Sequence, residues 1–180
     1  MTVIRDPLTG DGVRVTKDGH ATVVAITETG FEHASEEEGL AFSWVSSFGA
    51  LAGEETISIQ NDDNDRHLHI SHVEYGNDLA TLLTFFEVTS GTPGGTSITA
   101  QNLNLASGKV AEETAFGNLA VTGSLSGNNL GLGYVPASQS VRFDWLSGLI
   151  LAKDDKFAIT QGSSGICAVT VYGFYSEEPA

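Results

Sequence analysis

The stretch TISIQNDDNDRHLHISHVEY, residues 56–75, decides the fold class. Residues 56–60 alternate polar and apolar side chains, which is the period of a strand with one buried face. Residues 61–65 are turn formers whose side chains can bond their own backbone, and residues 67–70 alternate again. The stretch therefore predicts a β-hairpin, two strands joined by an acidic turn. It also holds three of the five histidines, so it is the first place to look for chemistry.

The same alternation continues from residue 39 onward and predicts about eight to ten short strands with almost no helical periodicity. Such a series is typical of an antiparallel β-sandwich or barrel. Residues 107–115 are the one short helix candidate, with Ser107 as a possible N-cap. We therefore predict an all-β domain over residues 39–180.

Residues 1–38 differ from the rest and predict an extended arm with a first hairpin. A hairpin turn is expected at residues 18–19, Asp-Gly, and residues 32–38 are strongly acidic. An ordinary first hairpin followed by a solvated loop is the alternative. The arm holds three of the eight basic residues, which suggests contact with an acidic partner surface: Arg5, Arg14 and Lys17.

The charge balance excludes whole classes of partner. The chain has 180 residues and a formal net charge of -15, with 8 Lys and Arg against 23 Asp and Glu. Phosphate contacts need clustered basic side chains, and anionic lipid attracts the same clusters, so we expect neither nucleic acid nor membrane as a partner. No secretory signal pattern opens the chain, and no apolar run approaches the ~20 residues of a membrane helix. We expect a protein made in a cytoplasm.

Two predicted strands are apolar on both faces, within residues 82–88 and 166–175. A sandwich strand needs only one apolar face, so the second face needs cover from the arm or from another subunit. We therefore expect a homo-oligomer. The candidate interface residues are Leu83, Phe85, Tyr172 and Phe174.

His67, His69 and Glu74 form the pattern H-x-H-x4-E, which resembles the first half of the metal-binding motif of cupins. Histidines two positions apart on a strand share a face and could share one metal. Two other cupin positions do not match, since Asn61 stands where the motif has glycine and Ile98 where it has a further histidine.

Strand parity also argues against this metal site. Leu68 and Ile70 must face the core, which turns the histidines between them outward. After Ser71 the apolar phase switches, which predicts a β-bulge near residues 71–72. The pattern therefore favours surface or interface histidines over a metal centre.

Other candidate sites have weak signals. Asp62, Asp63 and Asp65 lack the full spacing of a calcium loop and are expected to form a solvated turn. Paired acids such as residues 54–55 are expected to be solvated charge at strand ends. There is no nucleophile elbow or phosphate-binding glycine motif, so we expect no enzymatic activity and no cofactor.

Three apolar residues carry further expectations. Trp44 and Trp145 could line a sugar groove, but as members of alternating strands they are expected in the core. Cys167 is the single cysteine and is expected to be a buried, inert thiol.

Seven segments follow one another along the chain: DPLTGDGVRV (6–15), GLAFSWVSS (39–47), TISIQNDDND (56–65), RHLHISHVEY (66–75), AQNLNLASGKVAEETA (100–115), GLILAKDDKFAIT (148–160) and AVTVYGFY (168–175). Their order resembles that of structural jelly-roll proteins in tailed-phage virions, above all capsid decoration (cement) proteins. The resemblance is one of pattern and covers most of the chain from residue 39. It implies an eight-stranded jelly roll, a trimer on the capsid lattice, and no carried-over site residues.

The sequence thus favours a non-enzymatic virion protein that stabilises a phage capsid as a homotrimer on the capsid surface. The arm would reach onto neighbouring major capsid subunits and clamp them by multivalent contact. A tail-associated carbohydrate- or receptor-binding module is the alternative, and a cupin-like metalloprotein is the second. The arm residues expected to touch the capsid are Val3, Ile4, Arg5, Arg14 and Lys17.

Overall fold

Two antiparallel β-sheets pack against each other in the computed structural model, which describes residues 3–5, 12–14, 34–92, 94–119 and 125–177. The predicted all-β sandwich is confirmed. A separate pair of short strands precedes it, with Val3 opposite Arg14. The strands are β1 Val3–Arg5, β2 Gly12–Arg14, β3 Ala41–Ala50, β4 Glu55–Asn61, β5 Arg66–Asn77, β6 Thr81–Ser90, β7 Thr96–Ser97, β8 Gln101–Asn102, β9 Glu113–Leu119, β10 Ser126–Val135, β11 Gln139–Leu151, β12 Lys156–Gln161 and β13 Gly165–Glu177.

The strand order follows a simple winding. One sheet has the order β10-β6-β12-β4-β9-β7, and the other has the order β11-β5-β13-β3-β8. Within them β3 pairs with β13, β4 with β12, β5 with β11 and β6 with β10. These eight strands therefore pair as one antiparallel ribbon that passes alternately through the two sheets.

The predicted hairpin of residues 56–75 is wrong, because β4 and β5 lie in different sheets. The acidic turn between them forms a corner. The Asn61 side-chain amide donates to the Arg66 carbonyl at 3.0 Å and to the Leu151 carbonyl of β11 at 2.9 Å. The Asp63 carboxylate accepts the backbone N–H groups of Asp65 and Arg66. Alternation predicts only that each strand buries one face. Two successive strands meet this condition whether they pair in one sheet or lie in the two facing sheets of a sandwich.

The helix expected over residues 107–115 is also wrong. The Ser107 hydroxyl accepts the Lys109 N–H at 3.2 Å, a local turn that no helix follows. The chain then enters β9, which pairs with β4 from Asn61 to Glu55. Nine residues make a marginal helix in water, whereas the sheet supplies a full ladder of hydrogen bonds. Within the described ranges, helical conformation is limited to one π-helical turn, Ala34–Glu38.

The predicted arm contributes to the body at its end. Ala34 is 2% exposed and belongs to the main core cluster, and its carbonyl accepts the Leu40 N–H at 2.7 Å. The core therefore includes a residue that the sequence assigned to the arm. The turn expected at residues 18–19 and Lys17 lie outside the described residues.

The core lies between the sheets and has the faces that strand parity predicted. Phe42 and Trp44 of β3 are buried, as is Cys167, whose burial raises the pKa of its thiol. Trp145 packs edge-on against Phe157 at 5.8 Å between ring centroids. Trp44 is thus a core residue, as predicted, whereas Trp145 is partly buried and packs against the core.

The predicted bulge in β5 is confirmed. Tyr172 of β13 pairs with His72 of β5, and Gly173 pairs with Ile70, so Ser71 is the extra residue. Because of this bulge, Ile70 before it and Val73 after it both point into the core.

Candidate functional site

A row of imidazole and aromatic rings crosses the outer face of the five-stranded sheet. The His69 ring stacks on Phe174 with centroids 4.8 Å apart and planes inclined by 10°. The His72 ring stacks on Tyr172 at 4.3 Å and 16°. The two histidines come from β5 and the two aromatic residues from β13, which pair side by side.

The rings of this row stack on one another in pairs. Each histidine covers one face of its aromatic neighbour, so that face is not free to stack on a sugar ring. Tyr172 and Phe174 are partly exposed on this outer face, and their part in an oligomer interface stays a prediction. The Phe174 ring stacks on His69 and the Tyr172 ring stacks on His72 of the same chain.

Burial and neighbouring charged groups lower the pKa of both histidines in the row. Burial lowers the pKa of His69, and the neighbouring His67 lowers it further. Burial also lowers the pKa of His72, and Arg142 adds to this effect, while Asp144 and Glu74 oppose it.

The structure does not assemble the predicted metal ligands into a cluster. His67, His69 and Glu74 lie along the outer side of β5, and the His69 Nε2 atom is 2.7 Å from the Ser176 hydroxyl. Among the described residues, no three His, Cys, Asp or Glu side chains are close enough to hold a metal ion.

Carboxylates of the acidic turn accept hydrogen bonds from donors of the same chain. The Asp63 side chain is 4% exposed and forms an ion pair with Arg66. Burial raises the pKa of Asp63, but hydrogen bonds from Asp65 and Arg66 and the Arg66 charge outweigh it, so the pKa is lowered. The Asp62 carboxylate accepts the Thr114 hydroxyl and the Gln60 amide, both at 2.6 Å. The carboxylates of Asp62 and Asp63 are thus held by groups of the same chain, and the burial of Asp63 overturns the expectation of a solvated turn at that residue.

Two of the predicted interface residues are wrong. Leu83 and Phe85 of β6 are 0% and 3% exposed and lie in the core between the sheets. The opposite face of β6 is the outer one, where Phe86 and Val88 form a second cluster with Ala158. The sequence identified two apolar faces on this strand but could not say which one meets the other sheet.

The acidic pair Glu54-Glu55 is buried, which overturns the expectation that it is solvated. Each residue is 4% exposed. The Glu54 carboxylate accepts the Leu51 N–H at 2.6 Å, whereas neither Glu55 oxygen has a hydrogen-bond partner. Burial raises the pKa of Glu55 to about 7, and nearby Ser58 opposes the shift only in part. No sequence signal distinguishes this pair from the other paired acids.

The six-stranded sheet ends in strand β10, whose outer apolar side chains are exposed. Leu132 and Tyr134 of β10 are 60% and 61% exposed. Tyr134 pairs with Leu82 of β6, which is 48% exposed. Their inward neighbours Gly133 and Val135 are buried, so the apolar side chains form a row on the outer face.

Comparison of the chain with protein-family models, curated proteins and solved structures finds no match. No helix in the described part of the chain is long and apolar enough to cross a membrane. The functional argument therefore depends on the surfaces described above.

Proposed function

We propose that this protein is a non-enzymatic structural component of a virion, which decorates and stabilises a phage capsid as a homotrimer. The observation that carries the proposal is the edge strand β10. Its ten residues, SGNNLGLGYV, include no charged residue and no proline. Natural edge strands are commonly protected by charges, prolines, β-bulges or short length. β10 has register shifts at residues 126–127 and 129–131 but no charge or proline, and it is the last of the described strands in its sheet, so an edge of this length favours a contact with another chain.

The apolar row beside this edge supports the same conclusion. Leu130, Leu132 and Tyr134 are each more than 40% exposed and are joined by Leu82 of the next strand. Contiguous exposed apolar patches mark interaction sites in soluble proteins. Aromatic residues are enriched and charges are depleted at the centres of protein interfaces, which fits this surface.

Net charge favours this surface over the rest of the molecule for self-association. Copies that each carry a net charge of -15 repel one another, so close approach is least costly through an uncharged strand. A trimer needs a heterologous contact, in which β10 of one copy meets a different surface of the next. The expected result is a closed ring of three subunits.

The fold and the arm support the capsid role. The alternate winding of β3–β6 against β10–β13 is the strand order expected of the jelly roll, and we infer that fold from it. Arg5 of β1 lies opposite Gly12 and Arg14 of β2 lies opposite Val3, so the short hairpin carries a basic position at each end and precedes an acidic body in the chain. Three such hairpins on one trimer would clamp several capsid subunits by multivalent contact.

The oligomer is tested by light scattering coupled to size exclusion. The wild-type protein is expected to be a trimer at micromolar concentration, and the double variant Leu132→Glu, Tyr134→Glu is expected to be monomeric. Leu105→Glu is the control, because Leu105 is 94% exposed but lies outside β10. A monomeric wild type, or a double variant that remains trimeric, would contradict the proposal.

The capsid role is tested separately by imaging phage particles that carry the protein. Density at local threefold positions of the capsid is expected, and deletion of residues 2–17 should abolish binding to capsids while the trimer persists. Density confined to the tail, or normal capsid binding without the arm, would refute the capsid clamp.

A further inference from the structure

One edge of β3 is only partly paired. β3 spans ten residues, but β8 pairs with it at two positions, Phe42 with Asn102 and Ser43 with Gln101. From Val45 onward this edge has no strand neighbour among the described residues. The opposite edge of β3 pairs with β13 along its whole length.

The hydrogen-bonding direction of the free residues follows from their neighbours. The Ala41 carbonyl accepts the Leu103 N–H, so odd-numbered residues bond toward the β8 side. The Leu40 carbonyl accepts the Tyr175 N–H, so even-numbered residues bond toward β13. Because these directions alternate along an antiparallel strand, residues 45, 47 and 49 present N–H and C=O groups to the open edge. All three are exposed.

A cleft of about 440 Å³ runs along this open edge. Ser46, Ser47 and Phe48 form one wall, and residues 96–99, at the edge of the six-stranded sheet, form the other. Ligand sites typically have volumes of roughly 300–1,000 Å³, so the space is sufficient for a bound segment. None of the side chains that line it is charged.

We propose that this edge docks an extended, uncharged segment of a partner protein as an added β-strand in line with β8. Main-chain hydrogen bonds to residues 45, 47 and 49 would supply affinity, and alternate side chains of the segment would pack on Phe48 and Ile98. The two observed pairs with β8 show that this edge already accepts an antiparallel strand.

The lack of charged side chains in the cleft favours an uncharged occupant. The chain has 31 charged residues among 180, yet this cleft and the edge VSSFG carry none. A charged segment would lose hydration in the cleft without gaining an ion pair, whereas a neutral one would lose little. The inference does not depend on the capsid role, and it concerns a different edge from β10.

The test uses the full chain and a synthetic probe, a capped seven-residue peptide of alternating threonine and valine. Amide hydrogen exchange is followed by NMR with and without saturating peptide. Exchange at Val45, Ser47 and Gly49 is expected to slow at least tenfold, with no matching change along β10. No slowing at saturation, or equal slowing along β10, would overturn the proposal.

A matched pair of variants locates the contact. Ser47→Pro removes an N–H that faces the open edge and leaves the β13 ladder intact, so it should weaken peptide binding at least tenfold. Ser47→Val should bind as the wild type does.

A second probe covers the case in which Ser47→Pro does not fold. The same peptide, N-methylated at alternate residues on its β3-facing side, should not protect the wild-type chain. Equal binding by the two Ser47 variants, or protection by the methylated peptide, would also overturn the proposal.

Discussion

Glu55 is the residue whose environment departs furthest from what an acidic side chain requires. It is 4% exposed, and neither of its oxygens accepts a hydrogen bond. Its backbone neighbours across the sheet are Thr160 and Leu119, and Ser58 is the polar group that partly favours its charge. An unpaired buried carboxylate is costly when ionised and nearly neutral when protonated.

This environment predicts a pH-dependent stability. Folding raises the pKa of Glu55 from 4.5 to about 7, so between these values the folded state binds more protons than the unfolded state. The contribution of Glu55 to stability is therefore most favourable below pH 4.5 and falls as the pH rises toward 7. At roughly 1.4 kcal/mol per pH unit the full loss is about 3 kcal/mol.

Glu55→Gln should remove this dependence. We expect the variant to have a free energy of unfolding about 1–3 kcal/mol above wild type at pH 8, and to differ little at pH 5, because the amide resembles the protonated acid. Urea denaturation at both pH values measures this. Glu112→Gln, at a side chain 58% exposed, controls for the loss of one surface charge. Equal pH dependence in wild type and Glu55→Gln would contradict the assignment.

The bulge in β5 is the element that sets which side chains reach the surface. Leu68 and Ile70 before it and Val73 and Tyr75 after it are all fully buried. A regular strand could bury only one of these pairs, since side chains alternate between faces. Ser71 therefore lets one strand supply the core on both sides of the bulge.

Deleting Ser71 should be far more damaging than substituting it. The deletion turns two large apolar residues outward, each worth roughly 1.5–3 kcal/mol of burial, so we expect no cooperative unfolding transition in near-ultraviolet circular dichroism. Ser71→Gly keeps the residue count and should lose only about 1 kcal/mol. A deletion variant that melts like the wild type would show that the register can slip without cost.

At the scale of the whole molecule, buried hydrogen bonds join the two sheets. Gln161 of β12 is 1% exposed. Its side-chain oxygen accepts from the Tyr75 hydroxyl at 2.7 Å and from the Asn77 amide at 3.0 Å, both on β5 of the other sheet. Its amide nitrogen donates to the Ala50 carbonyl of β3 at 3.2 Å. Each polar group is satisfied only while the sheets stay in register.

Gln161→Leu should therefore lower the free energy of unfolding by about 2–5 kcal/mol, because buried polar groups of Tyr75, Asn77 and Ala50 lose their hydrogen-bond partner. Urea denaturation measures the loss, and Gln101→Leu, at an exposed position of β8, is the control. A loss below about 1 kcal/mol would mean that water or neighbouring groups replace the side chain.

The sequence by itself determined the all-β class, the buried faces of strands such as β3 and β5, and the bulge in β5. Each of these follows from alternation along a single strand, as with Leu68 and Ile70 against Val73 and Tyr75. It also determined that Cys167 is buried, because the apolar run around it leaves no polar face. Local periodicity carries this information because side-chain direction is a local property of the backbone.

Only the tertiary structure decided which strands are neighbours. β4 and β5 satisfy the same alternation whether they pair or lie in opposite sheets, and the Asn61 hydrogen bonds to Arg66 and Leu151 select the second arrangement. Residues distant in the sequence likewise decide which face of β6 is buried and whether Glu55 is buried. Pairing and burial are non-local free energies, so the open edges of β3 and β10 could be identified only once both sheets were assembled.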